Sequence, residues 1–68
     1  MNKWCADFCN DPYNDYNLIV EVLCDDEEMA VIKKINAKLE LHWYPCENKI
    51  TVPVDWLLAL LDEATKRL

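Results

Sequence analysis

The chain has 68 residues, a formal net charge of −6 and a hydrophobic fraction of 53%. That is the composition of a folded globule and the length of one small domain, residues 1–68, with a correspondingly small core. Gly, Ser and Gln are absent altogether, which excludes a glycine-rich phosphate loop, a dinucleotide fingerprint, a standard calcium loop and a serine nucleophile.

Residues 2–10 place Trp4, Cys5, Phe8 and Cys9 on one helical stripe, with Asn2 as N-cap, and so predict a short N-terminal helix. Asp11-Pro12 ends it, and residues 10–17 form a loop rich in turn-making side chains that also carries Tyr13 and Tyr16. Residues 18–24 are short, branched and apolar, and predict a buried strand. Asp25, Asp26, Glu27 and Glu28 follow. Asp25 with Glu28 three positions on has the form of a capping box, and residues 29–39 recur with helical spacing, so a second helix is expected there. Residues 39–44 alternate and predict a strand. Residues 45–48 read as a turn, with Asn48 the best candidate for positive φ, and residues 49–54 as a return strand that Pro53 confines to an edge. Asp55 would cap a last helix over 56–68, or Pro53 would stand in its first turn.

The expected fold is α+β, in the order α-β-α-β-β-α. A right-handed crossover would join two parallel strands and a hairpin would add the third, giving a three-stranded mixed sheet. The two longer helices would lie on one face, Ile32, Ile35, Leu57, Leu61 and Ala64 meeting Leu18, Val20, Val22, Leu41, Trp43, Ile50 and Val52. The other face, with Ile19, Glu21, Leu23, His42, Tyr44 and Thr51, would be covered by the short N-terminal helix or by a partner.

Charge is concentrated at one end of the sequence. Residues 1–28 hold eight acidic side chains against Lys3, whereas residues 29–68 hold five acidic against six basic. Asp7, Asp11, Asp15, Glu21, Asp25, Asp26, Glu27 and Glu28 would form one negative surface if the elements converge, with Tyr13 and Tyr16 adding flat contact area. The bland alternative for Asp25 to Glu28 is helix capping and solubility. Such a surface repels nucleic acid and suits the basic, nucleic-acid-binding face of another protein.

Cys5 and Cys9 with His42 and Cys46 form a zinc-competent donor set, but at a spacing unlike the usual knuckle. The competing reading is that the cysteines are small core hydrophobes. His42 lacks a convincing nucleophile and an orienting group, so no catalytic residue is expected and no cofactor is implied. An Asp11–Asp15 cation loop lacks the required glycine and spacing. Trp56 and Leu60 on the last helix exceed what one core stripe requires and are candidates for a homodimer surface.

No apolar run follows a basic start and no stretch approaches the roughly 20 apolar residues of a membrane span, so a cytoplasmic protein with reduced cysteines is expected. The leading expectation is a small acidic, non-enzymatic protein that occludes a partner. By analogy of size and charge alone, it compares with phage-encoded anti-restriction and anti-CRISPR inhibitors that imitate DNA, which would act in the host cytoplasm. The alternatives are a zinc-stabilised structural or regulatory module and a dimeric immunity-type partner protein.

Overall fold

The computed structural model describes residues 3–47 and 49–68; the expected N-cap at Asn2 and the positive φ at Asn48 lie outside the described residues. Four strands, β1 (Trp4–Asp11), β2 (Asn17–Cys24), β3 (Glu27–Ile35) and β4 (Lys38–Trp43), precede one helix, α1 (Val54–Arg67). The strands form an antiparallel meander in the order β1-β2-β3-β4.

This overturns the expected three-stranded mixed sheet with several helices. Residues 2–10 were expected to be helical, yet β1 pairs with β2 from Trp4↔Cys24 to Asp11↔Asn17. Residues 29–39 were also expected to be helical, yet β3 lies between β2 and β4. Residues 49–53 form no strand, and α1 begins at Val54 after Pro53, with Asp55 in its first turn and no side-chain cap.

The cause is local. Asp25 and Asp26 have φ of 53° and 66°, and Asn36 and Ala37 have φ of 52° and 67°. Two successive left-handed residues make the tight turn whose twist matches antiparallel strands, so the chain reverses at each pair. Asp and Asn tolerate this conformation better than most residues. In a chain without glycine they mark hairpins that composition alone does not reveal. The apolar run from Met29 to Ile32 is compatible with either element. As a strand it buries side chains on both sheet faces: Ala30 and Ile32 join the core beneath α1, and Val31 is buried on the opposite side.

The core lies between the sheet and α1. Val20, Val22, Ala30 and Ile32 meet Leu60 and Ala64, flanked by Trp4, Ala6, Phe8, Leu41, Trp56, Leu61 and Leu68. Burying a side chain the size of Val20 or Ile32 contributes about 1.5–3 kcal/mol. Trp4 and Trp56 pack with ring centroids 5.7 Å apart, and the Trp4 Nε1–H donates to the Thr51 carbonyl over 3.1 Å. At the other end of the helix the Arg67 guanidinium sits 3.9 Å from the Phe8 ring centre. α1 therefore covers one face only, and the opposite face is left without a second layer among the described residues.

A candidate binding face on the open side of the sheet

Alternation along the strands assigns Cys5, Asp7 and Cys9 of β1, Ile19, Glu21 and Leu23 of β2, Val31 and Lys33 of β3, and Glu40 and His42 of β4 to the open face. A β-bulge adds one more group. Val22 pairs with Ala30 but Leu23 with Glu28, so Met29 is an extra residue. Beyond it the alternation is inverted, and Glu28 shares the face of Leu23 and Glu21. Strict alternation would have turned Glu28 towards the helix side.

Asp7, Glu21 and Glu28 thus stand together. Asp7 is directly opposite Glu21, and the bulge sets Glu28 opposite Leu23, two residues along β2 from Glu21 on the same face. Hydrogen bonding with Glu21, then the Glu21 charge and desolvation, raise the Glu28 carboxyl above its ordinary value. The Cys9 thiol donates to Glu21 Oε1 over 3.1 Å. This hydrogen bond, then burial, then the charges of Glu21, Asp7 and Asp11 push Cys9 up to about 11. Cys9 is consequently a protonated donor at neutral pH and a poor nucleophile. Cys9, Asp11, Glu21 and Glu28 border a cleft of about 360 Å³ that Tyr13, Lys33 and Tyr44 also line, with Ile19 and Val31 beside them.

The expected acidic surface is assembled only in part. Asp11 closes β1 beside the cleft. Asp15 lies with Tyr13 and Tyr16 in the β1–β2 loop, where Asp15 and Tyr16 have positive φ. Asp11 straps this loop: its carbonyl accepts the Asn14 and Tyr16 N–H groups, and its carboxylate accepts that of Tyr13. Tyr13 is 98% exposed and Tyr16 69%, so both rings are presented to solvent. Asp25, Asp26 and Glu27 lie at the opposite end of β2, roughly 25 Å away at the rise of a strand. There the Asp25 carboxylate accepts the Lys3 backbone N–H over 2.9 Å, so the expected role of Asp25 as a helix cap is replaced by a role in a turn.

Among the described residues, ion pairing does not neutralise this half of the chain. The salt bridges among the described residues are Glu40–His42 and Asp62–Lys66, and neither involves an acidic residue before Glu40.

The zinc set is not brought together. Cys5 and Cys9 are on β1 and His42 on β4, at opposite edges of the sheet. Three strand spacings separate those edges by about 14 Å, too far for one ion to bridge. No group of three or more His, Cys, Asp or Glu side chains is placed to hold a metal ion among the described residues. The proposed dimer residues are also placed differently: Leu60 is buried in the core and Trp56 packs on Trp4. The large apolar residues that α1 exposes are Val54 and Leu58.

Sequence reasoning missed the bulge at Met29 and with it the Glu21–Glu28 pair, since nothing in the local pattern marks an extra residue. No helix among the described residues is long and apolar enough to cross a membrane. Comparisons of the chain with protein-family models, with curated proteins and with solved structures returned no match.

Proposed function

We propose that this chain is a small, acidic, non-enzymatic cytoplasmic protein that binds and occludes a basic, nucleic-acid-binding surface of another protein. The observation that carries the reading is the uncovered sheet face, on which Asp7, Glu21 and Glu28 gather near Lys33 but form no salt bridge among the described residues. Carboxylates left unpaired on a rigid sheet create a field that steers a basic partner and disfavours nucleic acid. The exposed rings of Tyr13 and Tyr16 supply contact area at low entropic cost beside it. An inhibitor that imitates the charge of DNA is the most specific form of this reading.

The test is affinity capture with the wild-type chain and with a variant carrying Asp7→Asn, Glu21→Gln and Glu28→Gln. The reading expects nucleic-acid-binding proteins to be retained by the wild type, displaced by DNA or raised salt, and lost by the variant. Equal retention by both chains, insensitive to salt and DNA, would refute it.

A further inference from the structure

The open face explains where a basic partner is attracted; the edge of the sheet shows how a segment of it can be held. β1 is a terminal strand. Its outward row of backbone N–H and C=O groups has no partner among the described residues. Native proteins guard such rows with lysine, proline, bulges or short strands. β4, the other edge, is guarded in this way: it has six residues, carries Lys38, Glu40 and His42 in alternation, and is soon followed by Pro45. β1 is less guarded: Pro12 follows it directly, but its only charges are Asp7 and Asp11, which repel anions and attract cations. It runs for eight residues in unbroken register with β2 and contains no Lys, Arg or Pro.

Its two faces differ in what they would accept. Asp7, Cys9 and Asp11 alternate on the open face, with Glu21 directly behind Asp7. On the helix face Trp4, Ala6 and Phe8 are packed against the core, and Arg67 lies over Phe8. Side chains of a strand added to β1 would lie about 4.5–5.5 Å from their opposite neighbours. Cations are therefore favoured on the open-face side and repelled by Arg67 on the other, where apolar groups fit. A second copy is a poor occupant, because pairing centred on Asp7 opposes two aspartates and each chain carries −6.

We propose that β1 is a docking edge that takes an extended segment of a basic protein as a fifth strand, with Lys or Arg opposite Asp7 and Asp11 and apolar residues towards α1. This rests on the proposed function and specifies its mode: strand addition, in which backbone hydrogen bonds supply affinity and alternate side chains supply specificity.

The probe is a synthetic peptide alternating Lys and Val, with two analogues N-methylated either at every Lys or at every Val amide. Methylation leaves the charges in place but removes the N–H row from one edge. Binding by fluorescence anisotropy should weaken at least about tenfold for one analogue and stay within about threefold for the other. Amide resonances of residues 4–11 should shift, and their exchange with solvent should slow, with the parent peptide bound. If the peptide binds and Asp7→Asn weakens it, but both analogues bind as the parent does, the electrostatic reading stands and strand addition is refuted. Absence of peptide binding refutes strand addition while leaving the capture experiment to judge the wider reading. Concentration-dependent dimerisation with the same amides shifted assigns the edge to a second copy and overturns the proposal.

Discussion

Replacing Ala37 by Gly distinguishes the hairpin from the helix that residues 29–39 suggest, because the two structures give effects of opposite sign. Ala37 has φ of 67°, the second of two left-handed residues between β3 and β4. Holding a residue with a Cβ in that region costs roughly 1–2 kcal/mol, which glycine avoids. Glycine returns part of this by freeing the unfolded chain, roughly 0.5–1 kcal/mol. The net expectation for Ala37→Gly is about 0.5–1 kcal/mol of added stability, and it creates the Asn-Gly pair that such turns prefer. For a domain of this size that raises the melting temperature by about 2–8 °C. Were residue 37 inside a helix, the same change would lower stability by about 1 kcal/mol. Thermal and urea unfolding followed by circular dichroism decide between them. A melting temperature lowered by several degrees would refute the turn and the register that depends on it.

Three further outcomes follow from the packing and the open face. Leu60→Ala removes a buried side chain that meets Val20, Val22 and Ile32 and should cost about 2–5 kcal/mol in urea unfolding; a loss under about 0.5 kcal/mol would place Leu60 outside the core. Because the folded-state value of Glu28 is raised above 4.5, its hydrogen bond to Glu21 stabilises the fold fully below that pH and is lost as pH rises through the raised value. Glu28→Gln keeps a donor for Glu21 without the charge, so its urea midpoint should exceed the wild type at pH 7 and converge with it below 4.5; equal midpoints at pH 7 would exclude a close carboxyl pair. Finally, with Cys9 pushed up to about 11 from 9.0, its thiolate population falls by about a hundredfold. Iodoacetamide at pH 8 should therefore modify the exposed Cys46 well before Cys9, as read by peptide mass mapping, and Asp7→Asn with Glu21→Gln should speed the reaction at Cys9.

The sequence by itself determined the elements whose signals are short-range. The branched apolar run through residues 18–24 lies in β2, and the alternation through Trp43 marks β4. Asp11-Pro12 opens the loop, and the apolar stripe after Pro53 is helical. Charge was equally legible, since eight carboxylates against one lysine in residues 1–28 need no coordinates. Tertiary structure decided the rest. Trp4, Cys5, Phe8 and Cys9 fit a helical stripe, but Trp4, Ala6 and Phe8 fit a strand as well, and pairing with β2 selects the strand. Asp25-Asp26 is a helix start by composition and a hairpin by conformation; what separates the two is a pair of positive φ angles that residues with a Cβ adopt only when flanking strands hold them. Which carboxylates share a face depends on register, and the one extra residue at Met29 brings Glu28 beside Glu21. Side chains alternate along a strand with period two, so a single inserted position exchanges the faces of all residues beyond it, and no local pattern records that exchange.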